Sequence, residues 1–193
     1  MPGLPFTIRE FRRADFNHLW QIDQECFAPE ISYSRLELAV YMRRPGSFTL
    51  VAETASNGDE GGRTAATPPS PDIPGSKMLN SDGASSQTPG SDILGFIVAR
   101  SERGRNGHII TIDVLKGARR AGVGSGLLTA AEERLRSDGC TQVHLETAVD
   151  NTAALAFYKR HGFFLAKTVP RYYSNGVDAF ILKKDLLPPP ARD

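Results

Sequence analysis

The chain has 193 residues, 40% of them apolar, and a net charge of +1. That length is enough for one domain with a buried core. A charge so near zero excludes a global pull toward nucleic acid or an anionic membrane, so any basic patch must be local.

The N-terminus, "MPGLPFTIREFRR", has no apolar run of a signal peptide, and "FTIREFRR" alternates as a strand does. "ADFNHLWQIDQECF" puts Phe16, Leu19, Trp20, Ile22, Cys26 and Phe27 largely on one helical face. "SRLELAVYMRR" opens with Ser34 and Glu37, the spacing of a capping box, and stops at Pro45-Gly46. "SFTLVAET" is a strand. From Thr54 to Asp92 the composition turns to Ser, Gly, Pro, Asp and Thr, too polar to offset its own ordering entropy, and this stretch is expected to be a disordered insertion.

Structure resumes with "ILGFIVARSE", a turn at "RGRNG", and "HIITIDVL", spaced as an antiparallel hairpin. A helix follows from about Gly122 to Asp138, with Leu127, Leu128, Ala131 and Leu135 as its buried stripe and Gly139 as its stop. "TQVHLETAV" is a strand. Asp150 or Asn151 caps a short helix, "TAALAFYKRH", that ends at Gly162. "FFLAKTVPRYY" and "VDAFILKKDL" are expected to pair as a hairpin across "SNG", before a "PPPARD" tail. Antiparallel hairpins mixed with a β-α-β unit give an α+β class around one mixed sheet. Cys26 and Cys140 fit no metal spacing and read as free thiols of a reducing compartment. No apolar stretch is long enough to cross a bilayer, and the expected location is the cytoplasm.

The chemistry concentrates at "KGARRAGVGSGLLTAAEERLRSDG". A helix start exposes unpaired N–H groups and the positive end of the dipole. Gly122, Gly124 and Gly126 let an anion approach that backbone, and Arg119 and Arg120 add charges suited to phosphate. The segment reads as a pyrophosphate cradle. It is not a Walker loop, because no Lys-Ser/Thr follows the last glycine. It is a poor dinucleotide fingerprint, because Leu127 holds the third glycine position and six residues separate Leu115 from Gly122.

Arg119-x-x-Gly122-x-Gly124, after a strand ending Asp113-Val114-Leu115, resembles the acetyl-CoA motif of the GNAT acetyltransferase superfamily. "HLETAVDNTAALAFYKRHGF" is similar to that family's strand–Asn–helix–Tyr–Gly-Phe block. "PRYYSNGVDAFILKKDL" and "IREFRRADFNHLWQIDQECF" resemble the C-terminal hairpin and first helix of the protein N-terminal acetyltransferases, nearest the bacterial ribosomal-protein alanine acetyltransferases. The resemblance covers nearly all of the chain except residues 54–92 and the tail. It implies one domain over residues 5–187, with six to seven mostly antiparallel strands and about four helices. It also implies acetyl-CoA as co-substrate, no metal, a protein N-terminus as acceptor, direct transfer in a ternary complex, and a monomer or weak homodimer.

The roles it implies fall on particular residues. Val114 and Leu115 lie beside the pantetheine arm, with one of their amides polarising the thioester carbonyl. Arg119, Arg120, Ala121, Gly122, Val123, Gly124, Ser125 and Gly126 cradle the diphosphate, and Asn151 touches the pantetheine as well as capping its helix. Tyr158 protonates the departing sulfur. Glu146, twelve residues earlier, is the general base, acting through a water. His108 is the rival base, at a position where some relatives carry a tyrosine, and its ordinary pKa of ~6.5 suits the task. Asp113 is a weaker third, since a charge beside the carbonyl would oppose an oxyanion. Tyr172 and Tyr173 form one wall for the first acceptor residues, and Phe27, Ile31 and Tyr33 the other. A small-amine acetyltransferase and a CoA-binding module without turnover are the alternatives.

Overall fold

The structure, a computed structural model, describes residues 5–29, 31–55 and 92–186. The expected insertion at 54–92, apart from its first two residues and its last, and the 188–193 tail lie outside the described residues. The elements in chain order are β1 (Phe6–Glu10), α1 (Phe16–Cys26), α2 (Arg35–Arg43), β2 (Ser47–Thr54), β3 (Ile93–Glu102), β4 (Asn106–Val114), α3 (Val123–Ser137), β5 (Gln142–Ala148), α4 (Thr152–Arg160), β6 (Phe164–Val169) and β7 (Ala179–Asp185). The strands make one seven-stranded sheet in the order β1-β2-β3-β4-β5-β7-β6.

Local chemistry sets the helix limits. Ser34 Oγ accepts the Glu37 N–H while the Glu37 carboxylate accepts the Ser34 N–H at 2.9 Å, so α2 begins on a complete capping box. Asn151 caps α4 by accepting the Ala154 N–H at 3.1 Å. Leu127, Leu128, Ala131 and Leu135 turn the apolar face of α3 onto Ile97, Ile109, Val143 and Leu145 of the sheet. Truncating Leu128 to alanine in such a site costs about 2–5 kcal/mol. On the opposite face, Leu19 and Ile22 of α1 and Leu38 of α2 bury Val51, Phe96 and Val98.

Three departures from even pairing shape the site. Among the described residues one ladder is parallel: β4 with β5 runs for three pairs, from Asn106–Gln142 to His108–His144. Beyond it β4 pairs only with β3 and β5 only with β7, so a gap opens between the two strands. A bulge leaves Ile110 unopposed between Ile109 and Thr111. The extra residue resets the alternation, so that Ile109 and Ile112 both join the α3 core while Ile110 joins the α1–α2 core.

The third departure corrects an expectation. β6 ends at Val169 and β7 begins at Ala179, so Pro170 to Asp178 form a long connection rather than paired strand across a short turn. Pro170 has no N–H for the ladder, and Arg171 takes a left-handed φ of 51°. At the same strand ends as the gap, the end of β2 and the start of β3 are pinned together. Thr54 N–H donates to the Asp92 carbonyl at 3.0 Å, and Asp92 N–H to Thr54 Oγ1 at 3.1 Å.

Candidate functional site

The gap between β4 and β5 is flanked by the start of α3 on one side and by charged side chains on the other. At α3 the first helical hydrogen bond is Gly126 N–H to the Gly122 carbonyl, at 2.9 Å. The amides of Val123, Gly124 and Ser125 precede it and stay open among the described residues. Arg120 and Gly122 are both left-handed, at φ 66° and 90°. Such alternation turns successive N–H groups toward a common point and makes an anion-binding hollow.

The glycines divide their labour differently from the expectation. Gly122 is required for its dihedral. A Cβ on Gly126 would lie 3.0 Å from the Phe6 ring and 3.2 Å from Ile8, so that glycine serves close packing against β1. Arg119 is also differently placed: its Nε donates to the Val114 carbonyl at 2.9 Å. Ser125 Oγ contacts His161 Nε2 at 3.0 Å.

At the end of β4, Leu115 N–H donates to the Leu94 carbonyl at 2.9 Å. Hydrogen-bonding direction alternates along an antiparallel strand, so Val114 points its N–H and C=O to the other edge, where the β5 ladder has already stopped. Of the two amides expected beside the donor, Leu115's is consumed by the sheet and Val114's faces the gap. The Val114 carbonyl holds both Arg119 and the Cys26 thiol, the latter at 3.4 Å.

Val143 and Leu145 face the core, while His144 and Glu146 face the other way, as the alternation of β5 predicts. The expected rivals for the base are partners: His108 Nε2 lies 2.8 Å from Glu146 Oε2. Burial raises the Glu146 pKa, but the His108 hydrogen bond and the charges of His108 and His144 outweigh it, and the carboxyl sits below its ordinary value. His108 also reaches Glu102, with Nδ1 3.5 Å from Oε1, and its ring stacks on His144 at 4.3 Å. Burial, then the neighbouring His108, lowers the His144 pKa.

Asp113 is 1% exposed and accepts a hydrogen bond from Thr111 Oγ1. Burial first, and Asp23 second, push its pKa well above the ordinary carboxylate range. That direction weakens the objection that its charge would oppose an oxyanion. Tyr158 is 6% exposed and wedged edge-on between Phe157 and Phe163. Burial is the main reason its pKa is raised, with Asp113 and Tyr173 adding to it.

The tyrosines converge. Tyr172 and Tyr173 meet edge to face at 5.1 Å. Burial raises the Tyr172 pKa, and Glu146 and Tyr41 raise it further; burial and Tyr172 push Tyr173 up to about 12. Tyr33 donates its hydroxyl to the Ile110 carbonyl at the bulge, at 3.5 Å, and rests against Tyr41. Phe27 and Ile31 are half-buried beside Tyr33 in the α1–α2 connection and join neither core cluster.

Sequence reasoning missed four participants. Tyr41 gives no signal, since nothing in α2 marks this half-buried residue as a partner of Tyr33. Glu102 and His144 are brought in by strand register alone. Asp23 had one: it sits within the apolar face of α1, four residues after Leu19, and is 0% exposed. It accepts the Tyr33 N–H at 2.8 Å through Oδ2, while Oδ1 has no partner among the described residues. Burial raises its pKa to about 6.

Residues 81–163 match the family model for the acetyltransferase (GNAT) family. An Arabidopsis thaliana protein named N-alpha-acetyltransferase MAK3 is 46% identical over 77 residues, which is 40% of each chain. The chain thus spans well under two thirds of that relative's length. Among solved structures, Ard1 from Thermoplasma volcanium superposes with a TM-score of 0.71 at 24% identity, covering 95% of this chain and 99% of its own. The ribosomal-protein-S18-alanine N-acetyltransferase of Escherichia coli gives 0.67 at 19% identity, covering 97% and 99%. Both likenesses concern the fold. Among the described residues, no helix is long and apolar enough to cross a membrane.

Proposed function

We propose that this chain, whose residues 81–163 match the model of the GNAT acetyltransferase family, moves an acetyl group from acetyl-CoA to the N-terminal α-amine of a protein, in a ternary complex. The reading is carried by one observation: a histidine–carboxylate pair, His108 with Glu146, stands where the β4–β5 ladder ends.

The residues present fit the donor. The open amides of Val123 to Ser125 and the left-handed hollow at Arg120–Gly122 suit a diphosphate, and Asn151 keeps its side-chain N–H groups free while its oxygen caps α4. The donor supplies an acyl carbonyl with a thiolate as leaving group. Val114 N–H faces the gap and is the donor toward the carbonyl oxygen as charge develops there. Glu146, backed by His108, takes a proton from the acceptor amine through a water. As the C–N bond forms and the C–S bond breaks, Tyr158 gives its proton to sulfur. Burial raises its pKa, but a thiolate formed in the same low-dielectric pocket is made more basic by the same cause.

The weak base explains the acceptor. An α-amine has a pKa of ~7.7–8.0 against ~10.4 for lysine, so deprotonating lysine costs ~3.4 kcal/mol more. Glu146, held below its ordinary value, matches the easier task. A small polyamine acceptor calls for charged acids along the slot. The other carboxyls around the gap do not offer that: Asp23 and Asp113 are buried with raised pKa values, and Glu102 is engaged by Arg100 and His108.

Mass spectrometry of a peptide array varying the first two residues tests this. Acetyl on the free α-amine is expected, with a peptide carrying lysine and a blocked N-terminus left unmodified. Acetylation of spermidine or of the blocked peptide alone would overturn the reading.

A further inference from the structure

Three neighbouring strands bring together a constellation larger than acetyl transfer requires. Glu102 at the end of β3, His108 on β4 and His144 on β5 each offer a ligating atom, and the three atoms lie within 4.8 Å of one another. His108 and His144 are a directly opposed pair in the parallel ladder, with rings 12° from parallel.

Two of these side chains, His108 and Glu102, already have the outer partner that a metal ligand needs. His108 commits Nε2 to Glu146 at 2.8 Å, which leaves Nδ1 facing Glu102 at 3.5 Å. Glu102 is held by Arg100. A ligating imidazole typically gives its second nitrogen to a carboxylate or a backbone carbonyl, and ligating carboxylates are themselves hydrogen-bonded, because these contacts fix tautomer and direction. The His108 and Glu102 side chains are 19% and 26% exposed, so an ion can reach them. A cleft of about 260 Å³, lined by Asn106, His144, Glu146 and Lys183 among others, leaves room for a water.

We propose that Glu102, His108 and His144 form a binding site for Zn²⁺ or a divalent ion of similar softness, with water as fourth ligand, and that its occupancy inhibits transfer. Two imidazoles, a carboxylate and a water are a donor set that zinc accepts. Tetrahedral coordination brings the ligand atoms to about 3.3 Å from one another, so the side chains close in and the two rings tilt out of their stack. Arg100 opposes the added positive charge, as does Lys183 across the cleft, which places the affinity in the micromolar range rather than tighter. An ion on Nδ1 fixes Nε2–H as a donor to Glu146. As His108 closes on the ion its ring turns, and the 2.8 Å contact that positions Glu146 is disturbed. The binding half is independent of the acetyl-transfer reading; the inhibitory half rests on it.

Calorimetric titration of the full chain with ZnCl₂ tests the site, run beside Glu102→Gln, His144→Phe and the double variant. Phenylalanine preserves a ring to stack on His108, and thermal melts check that each variant folds. One ion per chain is expected, with Kd raised about tenfold or more by each single change. Binding undiminished in the double variant would place the ion elsewhere, as on the cysteines, and overturn the site; so would the absence of saturable binding. At saturating Zn²⁺, peptide acetylation by the unmodified chain should fall at least tenfold and recover on chelation. Unchanged acetylation with the ion bound overturns the inhibitory half and leaves the site standing. If the chain acetylates no peptide, that reading and the inhibitory half fall together, while the calorimetry still decides the site.

Discussion

The start of α3 and the end of the β4–β5 ladder flank the same gap, yet they work with different material. The first offers backbone: open amides, two left-handed residues, a helix dipole. The second offers side chains on three strands, held by contacts among themselves. A backbone site tolerates changes of side chain and fails when a dihedral is lost. A side-chain site behaves the opposite way. Changes on the two sides should therefore separate donor binding from turnover.

The largest effect is expected on the side-chain half. Glu146→Gln should lower kcat about 10²–10³-fold with acetyl-CoA affinity little changed. His108→Ala should lower it less, and the double variant should be no worse than Glu146→Gln, because the two act as one unit. Additive losses would show them working separately. Tyr158→Phe, at the floor of the gap, should reduce kcat about 10²-fold in steady-state assays, again without loss of donor binding by calorimetry. Abolished binding would make Tyr158 structural.

On the backbone half the expected signature inverts. Gly122→Ala makes only an ordinary contact with the Phe6 ring, at 3.9 Å, but must hold a φ of 90°, so it should weaken acetyl-CoA binding about tenfold and lower stability by about 1–2 kcal/mol, with kcat at saturation preserved. A last effect, on stability alone, concerns Asp23, outside both halves. Its folded pKa of about 6 lies above the unfolded value. The folded state therefore keeps the proton longer, and stability is full below about pH 4 and declines as pH rises toward 6, by up to about 3 kcal/mol. Asp23→Asn should flatten that decline in melts taken across this window.

The same division explains what could be read from the residues alone. The capping box at Ser34–Glu37, the Asn151 cap, the buried stripe of α3 and the alternation of β5 are all local, and each is written within one turn or a few alternating positions. The helix-start cradle is contiguous for the same reason. That His108 and Glu146 are partners was not legible, because their contact depends on a register set across 38 residues and an intervening helix. Leu115's amide is lost to Leu94 for a similarly distant reason. The β6–β7 connection was misread because alternation continues through Pro170 to Tyr173, although a proline and a left-handed arginine break the ladder there.

The clasp between Thr54 and Asp92 has a bearing on how the chain finds its shape. Two central strands of the sheet must meet across a long intervening stretch, a search about 2 kcal/mol more demanding in entropy than closing a four-residue turn. Splicing such a turn between the clasped residues should therefore speed folding, by making the β2–β3 pairing a local event. The start of β3 also carries Leu94, whose carbonyl holds the Leu115 amide, so donor binding would report whether the shortened connection leaves the gap intact.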